Sequence, residues 1–136
     1  MVNVSSLAAL VGIPTQATYS ASKAGLRTFT EALRIEWAPL GIGVTAVLPG
    51  TIATPFLRHA TSHDLGASNQ MAELMLRYGT SPERVATRTL RAVMRNRAEV
   101  RVGWDAHLTA LVQTLAPGLL HHLLRLAWAL NARRSA

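Results

Sequence analysis

The sequence predicts an α/β layered fold built on a parallel sheet, and three observations carry that expectation. Apolar, β-branched runs alternate with helical periodicity in the order strand, helix, strand, helix, strand, helix, the pattern of strands joined by crossover helices. The run Ile42–Leu48 is apolar almost throughout, which suits a parallel strand covered on both faces. Each run is closed by a breaker, with Gly12 and Pro14, Pro39 and Gly41, Pro49-Gly50 and Gly103 as punctuation.

The elements follow in order. Val2 to Val4 is short, apolar and β-branched, and reads as a buried strand. Ser5 to Thr18 reads as a loop. From Tyr19 to Ala38 the pattern is helical, with Leu26, Phe29, Leu33 and Trp37 on one face at steps of three and four. Ile42 to Leu48 is the second strand. Thr54 to Gly79 is mixed, with a polar middle over Thr61, Ser62, His63 and Asp64 and a helical tail from Met71 to Leu76. Ser81-Pro82-Glu83 opens a helix with a serine N-cap, a proline at the first position and an acid in the first turn; the pattern carries it to about Arg97. Val100 to Val102 is the third strand. The tail from Ala106 onward is helical and broken near Pro117. The natural division is 1–103 as the sheet-bearing unit and 104–136 as a helical tail. Three strands alone make a poor sheet, because they leave open edges and bury little.

At 136 residues the chain is at most one domain, and 49% hydrophobic with 15% charged residues argues for a globular rather than a disordered chain. Without cysteine it holds no disulfide and no thiolate metal site, which fits a reducing, cytoplasmic compartment. The net charge of +7 raises nucleic acid or anionic lipid as partners. The basic residues are scattered, however. The densest group, Arg84, Arg88, Arg91 and Arg95 at helical spacing with Arg97 close by, reads as a solvated helix stripe, so no nucleic-acid partner is expected. The first residues show no charged segment before a long apolar run, so no signal peptide is expected. The longest apolar stretch, Leu108 to Leu130, is interrupted by Pro117-Gly118, His121-His122 and Arg125, and so reads as two amphipathic helices rather than a membrane span.

The chemistry lies in a triplet. The only lysine closes a Tyr-x-x-x-Lys motif, Tyr19 to Lys23, and Ser6 stands thirteen residues before the tyrosine at the end of an apolar run. Residues four apart share a helix face, so Tyr19 and Lys23 point the same way. A phenol normally titrates near ~10, and a neighbouring ammonium favours the phenolate, which makes a tyrosine usable as a general acid or base near neutral pH. Ser6 sits at the carboxyl end of a strand, where α/β sheets bind ligands. Each motif alone is weak: a Tyr-x-x-x-Lys arises often by chance, and a serine after a strand is usually a cap. Their conjunction is much stronger.

Val2-Asn3-Val4-Ser5-Ser6, Tyr19-Ser-Ala-Ser-Lys23-Ala24 and Pro49-Gly50 followed by Thr54-Pro55 together closely resemble the short-chain dehydrogenase/reductase family, in order and spacing, over residues 1 to about 103. The resemblance implies a partial Rossmann-like, doubly wound parallel sheet of about three strands with flanking helices. It implies hydride transfer between NAD or NADP and an alcohol or carbonyl substrate, the cofactor supplying the difficult chemistry. By the same resemblance Ser6 binds the substrate oxygen, Tyr19 is the catalytic acid/base, and Lys23 binds the nicotinamide ribose and lowers the tyrosine pKa. Pro49 and Gly50 lie against the nicotinamide, and Ile52 and Thr54 contact its carboxamide. A homo-oligomer in the full-length form is also implied.

Several family features are absent. The chain has no G-x-x-x-G-x-G turn to cradle a pyrophosphate, and Gly41-Ile42-Gly43 is no substitute because it precedes a strand. The Asn-Asn-Ala-Gly segment and the residue that selects NAD or NADP are missing too. The chain therefore looks like the carboxyl-terminal half of such an enzyme, beginning inside its fifth strand, and by itself is expected to bind no dinucleotide tightly. The alternative is a non-catalytic remnant acting as an interaction protein.

Weaker features complete the sequence. His59 and His63 have a spacing that can bind metal on a helix, but no third ligand accompanies them, so no metal is expected and a solvated or lid role is. His121 and His122 read as surface residues, and Trp37 and Trp104 as packing residues. Leu119, Leu120, Leu123, Leu124 and Trp128 are expected to pack on the core or a substrate mouth, with a membrane surface as the minor option that Arg125, Arg133 and Arg134 keep open. The apolar tail resembles members that handle lipophilic alcohols or ketones.

Overall fold

The computed structural model describes residues 1–55 and 73–132. Its centre is a three-stranded parallel sheet in the order β1 (Val2–Val4), β2 (Thr45–Pro49), β3 (Glu99–Val102). α1 (Ala17–Trp37) connects β1 to β2, α2 (Pro82–Met94) leads into β3, and α3 (Trp104–Leu115) and α4 (Pro117–Ala132) form the tail. Short 3-10 turns occupy Leu7–Ala9 and Ala38–Leu40, and residues 73–78 are helical. The α/β expectation is met. His59 and His63 lie outside the described residues.

β2 is the keystone. All five of its residues are buried, with Val47 and Leu48 fully so, because it is paired on both edges and covered on both faces. It begins at Thr45 rather than Ile42, since Gly41 takes a left-handed φ of 69° and turns the chain after Ala38–Leu40. Small residues fill the remaining core. Ala92 on α2 and Ala106 and Ala110 on α3 are buried, and their short side chains let both helices approach closely.

β1 departs from the buried strand expected. Val2 and Val4 are 38% and 53% exposed, because β1 pairs only with β2 among the described residues. α2 starts as read, with the Ser81 hydroxyl accepting from the Arg84 amide at 3.3 Å. It stops at Met94 rather than Arg97, because Asn96 adopts a φ of 47° and helical continuation is lost.

The apolar stripe of α1 is not its inward face. Phe29 is 53% exposed and Leu26, Leu33 and Trp37 are half-buried, whereas Ser20 and Thr30 are buried. The tail departs further. α3 packs on β3 and on the turn at Leu7–Ala9, yet Trp104 is 72% exposed and packs little, and Leu119, Leu123 and Trp128 are exposed rather than in the core. Leu120 and Leu124 are half-buried, and His121 and His122 are at the surface as read. Arg84, Arg88, Arg91 and Arg95 form the expected exposed stripe. Among the described residues no helix is long and apolar enough to cross a membrane.

Candidate active site

The carboxyl ends of parallel strands gather the loops that follow them, so residues distant in sequence meet there. Val4 pairs with Val47, and the Ser5 amide donates to the Val47 carbonyl at 2.8 Å. Continued by two residues, that register sets Ser6 beside Pro49. Both belong to the sequence-predicted site, and both stand at the same edge of the sheet.

Ser6 leaves β1 with an extended backbone and caps the Leu7–Ala9 turn, its hydroxyl oxygen accepting from the Ala8 amide at 3.2 Å. A hydroxyl that accepts in this way still carries a proton to donate. Tyr19 and Lys23 lie on one face of the first turns of α1, both half-buried, with the lysine Nζ 5.6 Å from the tyrosine ring centroid. Nζ also donates to the Val4 carbonyl at 3.1 Å. That bond ties the head of α1 to the end of β1, one residue from the Ser5-Ser6 pair.

Ser5 is the residue that motif reasoning passed over. It is 4% exposed, and its hydroxyl donates to the Lys23 carbonyl at 2.7 Å. The two bonds run in opposite senses, Lys23 side chain to β1 backbone and β1 side chain to Lys23 backbone. Strand alternation was the available signal, since adjacent serines must face opposite ways. Ser20, also buried, accepts from the Ile13 amide at 3.2 Å and holds the intervening loop to α1.

Pro49 is buried at the end of β2, and Gly50, Ile52 and Thr54 follow it in a half-buried turn. The turn is stitched through its backbone. Gly50 donates to Val102 at 2.8 Å, Ala53 to Thr80 at 2.9 Å and Thr54 to Ile52 at 2.8 Å, and Thr80 donates to Thr51 at 2.8 Å. The Thr51 amide donates to Asp105 Oδ2 at 2.5 Å. Among the described residues, the Ile52 amide alone in 50–54 has no acceptor. Thr80 and Asp105 were not legible as site residues. The only hint was an acid directly after Gly103-Trp104, at a helix start.

An open groove of about 610 Å³ runs between Ala8–Pro14, the small face of α1 (Ala17, Ala21, Ala24) and the tail residues Gln113 and His121; Ser6, Tyr19, Lys23 and the 49–54 turn do not line it. No cluster of three metal-ligating side chains occurs among the described residues.

The model of the short chain dehydrogenase family matches residues 1–65, a span holding Ser6, Tyr19, Lys23 and the whole 49–54 turn. Over 91% of its length the chain is 36% identical to "Dehydrogenase/reductase SDR family member 7B" of Xenopus laevis, 38% of which it covers. The chain belongs to the short-chain dehydrogenase/reductase family. A further relative in this family is the cyclopentanol dehydrogenase of a Comamonas strain, 38% identical over 66% of this chain and 36% of the relative. Among solved structures, a short-chain dehydrogenase from Burkholderia cenocepacia in complex with NADP superposes with a TM-score of 0.72 at 29% identity, covering 90% of this chain and 47% of that one. The superposition extends the Rossmann-type architecture of the family to this sheet. The chain spans about two-fifths of the length of the curated relatives it matches. Thr80 and Asp105 lie beyond the matched 1–65 span.

Proposed function

We propose that this chain supplies the catalytic and substrate-binding part of an NAD(P)-dependent oxidoreductase acting on a lipophilic alcohol or ketone. The observation that supports this reading is that the β1–β2 register carries Ser6 to the level of Pro49 while Lys23, which shares a helix face with Tyr19, bonds the Val4 carbonyl at the end of β1. Relatives named as a dehydrogenase of cyclopentanol and a dehydrogenase in complex with NADP support it.

The residues present fit a nicotinamide. The Ile52 amide has no acceptor on the described part of the chain, so it is available to a carboxamide oxygen, and Gly50 lets the backbone be approached closely. Pro49, Gly50, Ile52 and Thr54 would hold that ring, with Lys23 at the ribose. When bound, the dinucleotide supplies or accepts the hydride. The protein's own part is the proton and the geometry. Ser6 donates to the substrate oxygen and fixes its direction. Tyr19 gives a proton to that oxygen on reduction and takes it on oxidation. Lys23, tied to Val4, fixes the cation beside the tyrosine.

The apolar groove under the Ala8–Pro14 loop and the leucine-rich tail favour a lipophilic substrate. The half-exposed stripe Leu26, Phe29, Leu33 and Trp37 suits a second copy of the protein, hence a homo-oligomer. The test is Tyr19→Phe in the protein of the whole reading frame, assayed with both cofactors against cyclic and long-chain alcohols. Turnover is expected to fall by roughly 10²–10⁴-fold, the span general acid–base catalysis contributes, with the circular dichroism spectrum unchanged. Full activity in that variant, or none in the parent with either cofactor, leaves the non-catalytic interaction protein as the reading.

A further inference from the structure

We infer that Asp105 is the positioning residue of the 49–54 turn: its carboxylate clamps the turn to the head of α3 and so sets where Ile52 and Thr54 stand. The inference rests on the assignment of that turn to the dinucleotide proposed above.

The clamp uses both carboxylate oxygens. Oδ2 accepts from the Thr51 amide at 2.5 Å, and Oδ1 accepts from the Ala106 amide at 3.0 Å. A charged acceptor makes shorter and stronger bonds to amides than a neutral one, and a negative charge is favoured in the first turn of a helix. The site is shaped around this group. A Cβ on Gly50 would overlap the Asp105 carboxylate, and a Cβ on Gly103, whose φ is 105°, would come within 2.5 Å of Oδ1. Two glycines on two different segments thus leave room for one side chain.

The remaining ties explain why the clamp matters. Val102 holds Gly50, and Thr80 is bonded to Thr51 and to Ala53. Asp105 alone among the described residues takes the Thr51 amide, which lies between the tied Gly50 and Ile52. Freed there, the turn can rotate its next amide, that of Ile52, away from the cofactor side. Asparagine does not replace the carboxylate: it offers one acceptor oxygen, and its amino group would face an N–H donor.

The experiment compares Asp105→Asn with the parent in the protein of the whole reading frame, with Arg34→Ala as a control that removes the tie to the Val44 and Asn96 carbonyls, at the end of β2 opposite the turn. Two quantities are read: amide hydrogen exchange of peptides spanning 49–54, and the KM for dinucleotide against that for alcohol. Faster exchange over 49–54 with β2 unchanged is expected, together with a dinucleotide KM raised roughly tenfold or more and an alcohol KM little moved, as misplacing a binding group predicts. Arg34→Ala is expected to lower the melting temperature and leave both KM values alone. Unchanged exchange over 49–54 overturns the clamp. Faster exchange with a dinucleotide KM no higher than in Arg34→Ala overturns the positioning role. Tyr19→Phe tests the chemistry separately, so a dead Tyr19→Phe beside an unaffected Asp105→Asn leaves the proposed function standing and removes only this inference. Should Asp105→Asn fold poorly, Gly50→Ala displaces the carboxylate from the other side and is expected to raise the dinucleotide KM in the same way.

Discussion

At the scale of single residues, the corner where β1 meets α1 is held by two reciprocal hydrogen bonds, Ser5 to the Lys23 carbonyl and Lys23 to the Val4 carbonyl. The first is part-buried, and deleting it removes a donor from a poorly solvated carbonyl. Ser5→Ala is therefore expected to lower stability by about 1–2 kcal/mol, read as a lower urea midpoint with unchanged slope. Turnover is expected to drop as well, because the same bond fixes the helix turn that carries Lys23. An unaltered midpoint would show that water replaces the lost donor. Ser6 and Ser5 illustrate what motif spacing can and cannot find. A motif singles out the serine proposed to face substrate, whereas its neighbour does its work on the opposite side of the strand.

At the scale of elements, α1 docks by a polar face. Lys23 reaches Val4, Arg27 reaches Glu99 at 2.7 Å, Thr30 accepts from Asn3 at 2.9 Å, and Arg34 reaches the Val44 and Asn96 carbonyls at 2.6 Å. These positions recur at steps of four, three and four, and long basic stems can cover apolar surface while their heads find carbonyls. Hydrophobic periodicity marks the neighbouring stripe instead and does not reveal this polar docking face. Glu99 lies at the centre of one such tie. Burial pushes its carboxyl up, but hydrogen bonds and charge from Arg27 and Arg101 outweigh burial and hold it below the ordinary value. A carboxyl lowered in the folded state stabilises above its unfolded pKa and loses that contribution as pH falls through the lower, folded one. The stability gap between the parent and Glu99→Gln is thus expected to be about 0.5–1 kcal/mol at neutral pH, a modest figure for partly exposed pairs. It should shrink as pH drops below about 4.5, the group's ordinary value. A gap that does not change between pH 7 and 3 would rule the ion pairs out as its source.

At the scale of the whole molecule, the exposed surfaces fall at the places where a larger assembly would add contacts: the outer edge of β1, the apolar stripe of α1 and the leucines of the tail. An unprotected apolar edge strand pairs readily with other chains. The 136-residue chain is accordingly expected to self-associate as its concentration rises, and Val4→Lys to shift sedimentation towards the monomer; an identical distribution for both would exclude the β1 edge. The sequence by itself determined the alternation of elements, the burial of β2, the cap at Ser81, the break at Pro117 and the family that Ser6, Tyr19 and Lys23 announce. These are local matters, set by side-chain periodicity, capping chemistry and short motifs. Only the tertiary structure decided which face of α1 turns inward, that β1 is half-exposed, that the tail leucines face outward, and that Asp105 and Thr80 meet the turn after Pro49. Such contacts join residues from ten to seventy-two positions apart, and nothing in local spacing encodes which partner a side chain or backbone amide will find.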